Sequence, residues 1–264
     1  MRPRRSREHI KEWLDAVYHR YHRPEWIGSD PLQFVYRYQN THDREIAGLI
    51  ASTLAYGQVK QIHVSVNAVL ERLDHEPHRF LWNHSESVIR RRLTGFRHRW
   101  TSAEVMGDLL VGVRRVILDH QTLGAAFLSL DDPALPIENT LVRWIDLLQA
   151  GRPVRAKETL ARPERNSACK RLHLYLRWMV RHDAVDPGGW SGISPARLRM
   201  PVDTHVYRWA RSVGFTRRNA VDGKTVQEIT GAFKTICPED PVKYDFSLTR
   251  PGIVEKWRPS GIIA

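Results

Sequence analysis

Residues 46–56 read Ile-Ala-Gly-Leu-Ile-Ala-Ser-Thr-Leu-Ala-Tyr, apolar or small at almost every position. A surface helix shows an apolar stripe with a polar back; a helix that is apolar on most faces has to be buried. Thr41-His42-Asp43-Arg44-Glu45 precedes the run as a capped start, with Thr41 or Asp43 as the cap. The segment ends at Tyr56-Gly57-Gln58. It is the expected central helix, and the rest of the chain has to pack around it.

The remaining segments carry helical spacing. Ile10, Trp13, Leu14 and Val17 mark a helix over residues 8–21, and Ile62, Val66, Val69, Leu70 and Leu73 mark another over 59–73. Further helices are expected at 85–93, 102–120 and 137–148. Another begins at Ser167, with Leu172, Tyr175, Leu176, Met179 and Val180 as its apolar stripe and Lys170, Arg177 and Arg181 opposite. Val206, Trp209, Ala210 and Val213 predict the next, closed by Gly214. Thr225 caps another, and a last short helix covers 242–248. Residues 149–166 and 183–194 read as loops, and the Pro- and Gly-containing tail from Arg250 as irregular. No alternating apolar run is long enough for a sheet. The expectation is an all-α fold.

Charge narrows the class of partner. The chain has a formal net charge of +12. Nine Lys or Arg face two Glu between residues 150 and 181, and six Arg face one Asp between 197 and 218. Clustered cations of this kind point to a polyanion, most often nucleic acid, although Arg-rich solvation of a surface gives the same count. Two cysteines, Cys169 and Cys237, cannot supply a four-cysteine iron–sulfur or zinc site, so no cofactor and no metal is expected. The basic N-terminus lacks the apolar core of a signal peptide, and no run of about 18 apolar residues offers a membrane span. A monomer in a reducing cytoplasm is expected.

One carboxylate stands apart. Asp203, in Met200-Pro201-Val202-Asp203-Thr204-His205, occupies an N-cap position among cations. It is either a cap contributing about 1 kcal/mol or a catalytic carboxylate beside bound polyanion.

Three segments carry a resemblance. Pro201-Val202-Asp203-Thr204-His205-Val206 with Arg208 resembles the segment bearing the catalytic aspartate of helix-hairpin-helix DNA glycosylases, the endonuclease III superfamily. Residues 50–62, through Tyr56-Gly57-Gln58-Val59-Lys60, resemble that superfamily's buried helix and Gln-bearing turn. Residues 240–248, with Tyr244 and Phe246, resemble its C-terminal element. In layout the chain is nearest to archaeal 8-oxoguanine DNA glycosylase. The resemblance spans roughly residues 41–248 and implies a two-lobed helical fold without an iron–sulfur cluster. One lobe would be 44–182 and the other 1–43 plus 183–264. The hairpin is degenerate: the superfamily reads Leu-Pro-Gly-Val-Gly before its Lys, where this chain has Arg165-Asn166-Ser167-Ala168-Cys169-Lys170.

The resemblance implies removal of a damaged base, an oxidised purine such as 8-oxoguanine, flipped out of double-stranded DNA. Lys170 is the implied nucleophile at the sugar C1′ and Asp203 its activator, with AP-lyase cleavage possible through a Schiff base. Gln58, Lys60, Arg165, Arg171, Arg177, Arg181, His205 and Arg208 would contact nucleic acid, and Trp178, Tyr244 and Phe246 would line the base pocket. Trp178 or Trp190 could also line the lobe interface. Lys157 competes with Lys170 as nucleophile, and Cys169 is a weaker candidate. Core packing competes with a pocket role for Tyr244 and Phe246. A helical nucleic-acid-binding protein that keeps the fold without the chemistry is the alternative function, and structured RNA the alternative substrate.

Overall fold

In a computed structural model the described residues are mostly helical, in line with the periodicity of the sequence. Residues 6–151 and 160–254 are described. Twelve α-helices follow one another among them: α1 (Arg7–Tyr21), α2 (Thr41–Thr53), α3 (Val59–Arg72), α4 (Pro77–Asn83), α5 (Glu86–Arg92), α6 (Ala103–His120), α7 (Leu123–Ser129), α8 (Ile137–Gln149), α9 (Lys170–Val180), α10 (Thr204–Ser212), α11 (Gly223–Lys234) and α12 (Asp245–Val254). Two two-residue strands, β1 (Arg97–His98) and β2 (Thr101–Ser102), make a small antiparallel hairpin that the alternation pattern did not predict.

α2 is the buried centre: every residue from Glu45 to Thr53 is out of solvent. It packs against the 3₁₀ turn Pro31–Arg37 and against α3, α4, α7 and α9. Its cap is Asn40, one residue before the expected Thr41. The Asn40 side chain accepts the Asp43 N–H at 2.8 Å. Asp43 does other work: its carboxylate accepts the His78 N–H at 2.8 Å and so fastens α4 to α2. α4 and α7, seven residues each, are two helices that the apolar spacing did not mark. The segment from Arg250 is helical to Val254 rather than irregular, and Arg250, buried and paired with Asp30, anchors that turn. The cap of α11 is Asp222, which accepts the Thr225 N–H at 3.0 Å; Thr225 itself is buried.

Buried apolar side chains form two clusters. The larger gathers around α2 and includes the 3₁₀ turns, α3, α6, α8 and α9. The smaller joins Ile10 and Leu14 of α1 to Met200, Val202, α10, α11 and Leu248. α12 runs between them, with Phe246 in the larger cluster and Leu248 in the smaller.

A buried carboxylate holds the larger cluster together. Glu45 of α2 accepts the Leu123 and Gly124 N–H groups at 2.6 and 2.9 Å, at the open N-terminus of α7, and the Trp190 indole N–H at 2.9 Å. A helix N-terminus favours negative charge, yet burial pushes this carboxyl up to about 7 against the three donors.

Candidate active site

Lys170 and Asp203 each stand at a helix start. Lys170 is the first residue of α9, behind Cys169, whose φ of 45° lies in the left-handed region. Asp203 caps α10: its Oδ1 accepts the Val206 N–H at 2.8 Å, and its Oδ2 makes no hydrogen bond among the described residues. Both residues are half-buried, 33 positions apart in the chain, and both line one cleft of about 260 Å³. Tyr56, Val59, Ile62 and Leu174 contribute one wall, and Pro201, His205 and α12 the other.

The cleft is lined by three cations and three carboxylates: Lys170, Arg177 and Arg250 against Asp30, Asp203 and Asp245. Four of the six are spent on each other. Arg177 pairs with Asp245 and Arg250 with Asp30; Arg177, Asp245 and Arg250 are buried and Asp30 is partly buried. Lys170 and Asp203 are left, and neither has an ion pair among the described residues. Burial raises the Asp245 carboxyl to about 6, opposed by Arg177 and reinforced by the charge of Asp203. Burial also acts on Asp30, but Arg250 and the Leu32 N–H hold that carboxyl below its ordinary range.

The other expected contacts divide by exposure. Gln58, Lys60, Arg165 and Arg208 are exposed. Gln58 precedes α3 with its side chain uncommitted to a cap, beside the cleft residues Tyr56, Gly57 and Val59. His205 lines the cleft, its ring pressed on α12 where a Cβ on Gly252 would lie 2.4 Å from Nδ1. Arg177 and Arg181 do not lie on a solvated face: they are 2% and 4% exposed. Arg177 pairs with Asp186 and Asp245, and Arg181 with Asp183, Asp186 and Asp240, so no phosphate reaches them from solvent. Arg171 is half-buried; its Nη1 donates to the Thr53 carbonyl at 2.7 Å and its guanidinium lies over Tyr56, which fixes α9 to the end of α2.

The expected base pocket is not formed by its expected aromatics. Trp178 is wholly buried in the larger cluster. Tyr244 is buried in the smaller one, its hydroxyl donating to Asp15 at 2.7 Å. Phe246 lies beneath the cleft, with the Arg250 guanidinium 4.2 Å from its ring centroid. None of the three lines the cleft; core packing claims them. Trp190 is also core, bonded to Glu45. Of the residues that line it beyond the expected pair, Tyr56 closes the expected central helix, while Asp30 and Arg250 come from segments with no catalytic signature in the sequence. The Asp30-Pro31 step reads as part of the run that ends the first helix; in the structure Asp30 also caps the 3₁₀ turn Pro31–Arg37, accepting the Leu32 N–H.

The cysteine candidate recedes as well. Burial pushes the Cys169 thiol up to about 11, so it is not a thiolate at neutral pH. Lys157 lies outside the described residues. Among the described residues no group of three or more His, Cys, Asp or Glu could hold a metal ion, and no helix is long and apolar enough to cross a membrane.

The hairpin region has its own geometry. Asn166 and Cys169 take positive φ, 55° and 45°. The loop is braced inward: the Asn166 carbonyl accepts the Gly223 N–H at 2.9 Å and its Oδ1 accepts the Lys224 N–H at 3.1 Å. The model of a family described as "Protein of unknown function (DUF2400)" matches residues 30–254, which takes in every residue of the cleft and of this hairpin. The chain belongs to the DUF2400 family. No curated protein and no solved structure matches it. In this DUF2400 protein the charged residues of the cleft that have no ion pair among the described residues are Lys170 and Asp203.

Proposed function

We propose that this cleft is the active site of a DNA glycosylase with AP-lyase activity, acting as a cytoplasmic monomer on a damaged, oxidised purine in double-stranded DNA. The observation that carries the reading is the pair left over in the cleft. A cation and a carboxylate line one cavity, and neither has an ion pair among the described residues. An amine that shares a cleft with a carboxylate can do nucleophilic chemistry at a glycosidic carbon. The Lys170 Nζ forms a bond to C1′ as the C1′–N bond breaks, and the electron pair leaves with the base. Asp203 faces the positive charge that builds on the sugar and accepts the proton the amine gives up. Opening of the deoxyribose ring, with the C1′–O4′ pair leaving on O4′ and taking up a proton, then yields a Lys–sugar Schiff base, and loss of a C2′ proton expels the 3′ phosphate. Exposed Lys60, Arg165 and Arg208 supply the sequence-independent attraction to phosphate.

Borohydride trapping on duplexes bearing 8-oxoguanine and other lesions tests it. The expected result is a covalent adduct with the wild-type protein and none with Lys170→Gln. No adduct on any lesion, or an adduct that survives Lys170→Gln, would sink the lyase assignment. The inward-braced hairpin, which turns Asn166 toward α11, favours the second reading, a non-catalytic nucleic-acid-binding protein. That reading expects salt-dependent binding without turnover.

A further inference from the structure

The most exposed large apolar side chain among the described residues is Trp100, at 66%. It sits at the tip of the β1–β2 hairpin and stacks on Tyr56, ring centroids 4.5 Å apart and planes 13° from parallel. Tyr56 in turn lines the Lys170–Asp203 cleft. The aromatic surface of the hairpin tip is thus continuous with the cleft wall.

The tip is held rigidly although it is exposed. The Tyr56 hydroxyl donates to the His98 carbonyl at 2.8 Å and so accepts from Thr101 Oγ1 at 2.6 Å. His98, 1% exposed, bonds through its ring to Ser65 Oγ at 2.8 Å and to the Tyr56 carbonyl at 3.1 Å. Arg99 takes φ 52° to make the turn, and its guanidinium lies 4.8 Å from the Trp100 ring centroid. Gly57, at φ 92°, lets that guanidinium approach: a Cβ there would lie 2.9 Å from Nη1. Folding gains nothing from leaving an indole in water on a rigid support. The stack on Tyr56 fixes its orientation without hiding it.

Charge decides what such a surface fits. Lys60, Arg97 and Arg99 are exposed around it, and residues 55–66 and 94–103 contain no Asp or Glu. An exposed indole amid cations suits a flat heterocycle attached to phosphate. We propose that Trp100, supported by Tyr56, is a stacking site for an unpaired nucleobase at the mouth of the cleft. The assignment rests on the glycosylase reading for the origin of that base, a nucleotide displaced when its neighbour enters the cleft. The stacking itself needs no chemistry.

The test uses the full chain as Lys170→Gln, so that turnover is blocked, and a duplex with one unpaired 2-aminopurine. Binding is followed by anisotropy, and stacking by quenching of 2-aminopurine emission. Trp100→Ala is expected to weaken binding about tenfold or more and to abolish the quenching, while Trp100→Phe keeps most of both. A duplex in which 2-aminopurine is paired with thymine should respond far less. Thermal unfolding of Trp100→Ala should match its parent, since the side chain is largely exposed. Unchanged affinity and quenching in Trp100→Ala, or no binding of either duplex by the parent, overturns the assignment. If affinity depends on Trp100 while the wild-type protein gives no borohydride adduct, the base-stacking site stands and the glycosylase reading falls. If adducts form normally in Trp100→Ala with affinity intact, the reverse holds.

Discussion

Glu45 offers a perturbation whose size and sign follow from the structure. Its carboxyl is wholly buried and raised from 4.5 to about 7. A shift of roughly 2.5 units at about 1.36 kcal/mol per unit corresponds to about 3 kcal/mol. The group binds its proton more tightly in the folded state. Below pH 4.5 both states are protonated and nothing depends on pH. Between pH 4.5 and 7 the unfolded chain ionises first, so stability falls as pH rises, and above 7 the loss is complete. Glu45→Gln removes the titration. Its amide oxygen can replace Oε2, which serves Gly124 and Trp190, but its NH₂ then faces the Leu123 N–H, donor against donor. That costs about 1–3 kcal/mol at any pH. The variant is therefore less stable than wild type by this amount at pH 5 and close to it at pH 8, where wild type bears the cost of the buried charge. The assay is urea denaturation of both proteins at several pH values, read as the difference between them. The difference is essential because His173, buried and lowered to about 4, gives stability that rises with pH between 4 and 6.5, and Asp245, raised to about 6, gives the opposite slope. A difference that stays flat from pH 5 to 8 would refute the reasoning. It would mean that two N–H donors at a helix N-terminus and the Trp190 indole N–H outweigh desolvation.

Two further substitutions separate structural from chemical roles around the cleft. Asp203→Asn keeps an oxygen for the Val206 N–H, so stability should change by no more than about 0.5 kcal/mol in thermal unfolding, while the borohydride adduct is lost; full activity would leave Asp203 a cap and nothing more. Arg177→Met strips the charge partner from Asp245 and Asp186 inside the protein, and denaturation should show a loss of about 3–5 kcal/mol at neutral pH; a surface-like loss below 1 kcal/mol would contradict its burial.

Arg177 also shows where the sequence stops being legible. The apolar stripe of α9 is readable: Leu172, Tyr175, Leu176, Met179 and Val180 are all buried as their spacing demands. The same helical wheel assigns Arg177 and Arg181 to water, because local periodicity knows only water as a home for charge. Asp183 and Asp186 lie close by in a segment that reads as a loop, and their further partners, Asp245 for Arg177 and Asp240 for Arg181, lie 68 and 59 residues away, where no window on the sequence joins them. Glu45 is hidden for the same reason, its N–H partners lying 78 and 79 residues on. Aromatics fail differently: Tyr244 and Phe246 have the composition of a base pocket and the burial of a core, and only packing tells these apart. Trp100 gave no signal, since a turn between two-residue strands has no period to detect. Lys170 and Asp203 were legible one at a time as helix starts. Their convergence on one cleft is a tertiary fact.

That convergence has an energetic side. A charge removed from water without a partner costs several kcal/mol, so a fold under no other demand pairs its buried charges or moves them out. Around this cleft the rule is kept where burial is deepest, at Arg177–Asp245 and Arg250–Asp30. It is relaxed at Lys170 and Asp203, both half-buried. The capping role of Asp203 accounts for Oδ1 and leaves Oδ2 over. Asn or Ser would cap α10 as well, and any good helix former could open α9 in place of Lys170. The deep pairs fix the geometry and balance their own charge, and the field in the cleft is then set by the two groups that folding does not consume.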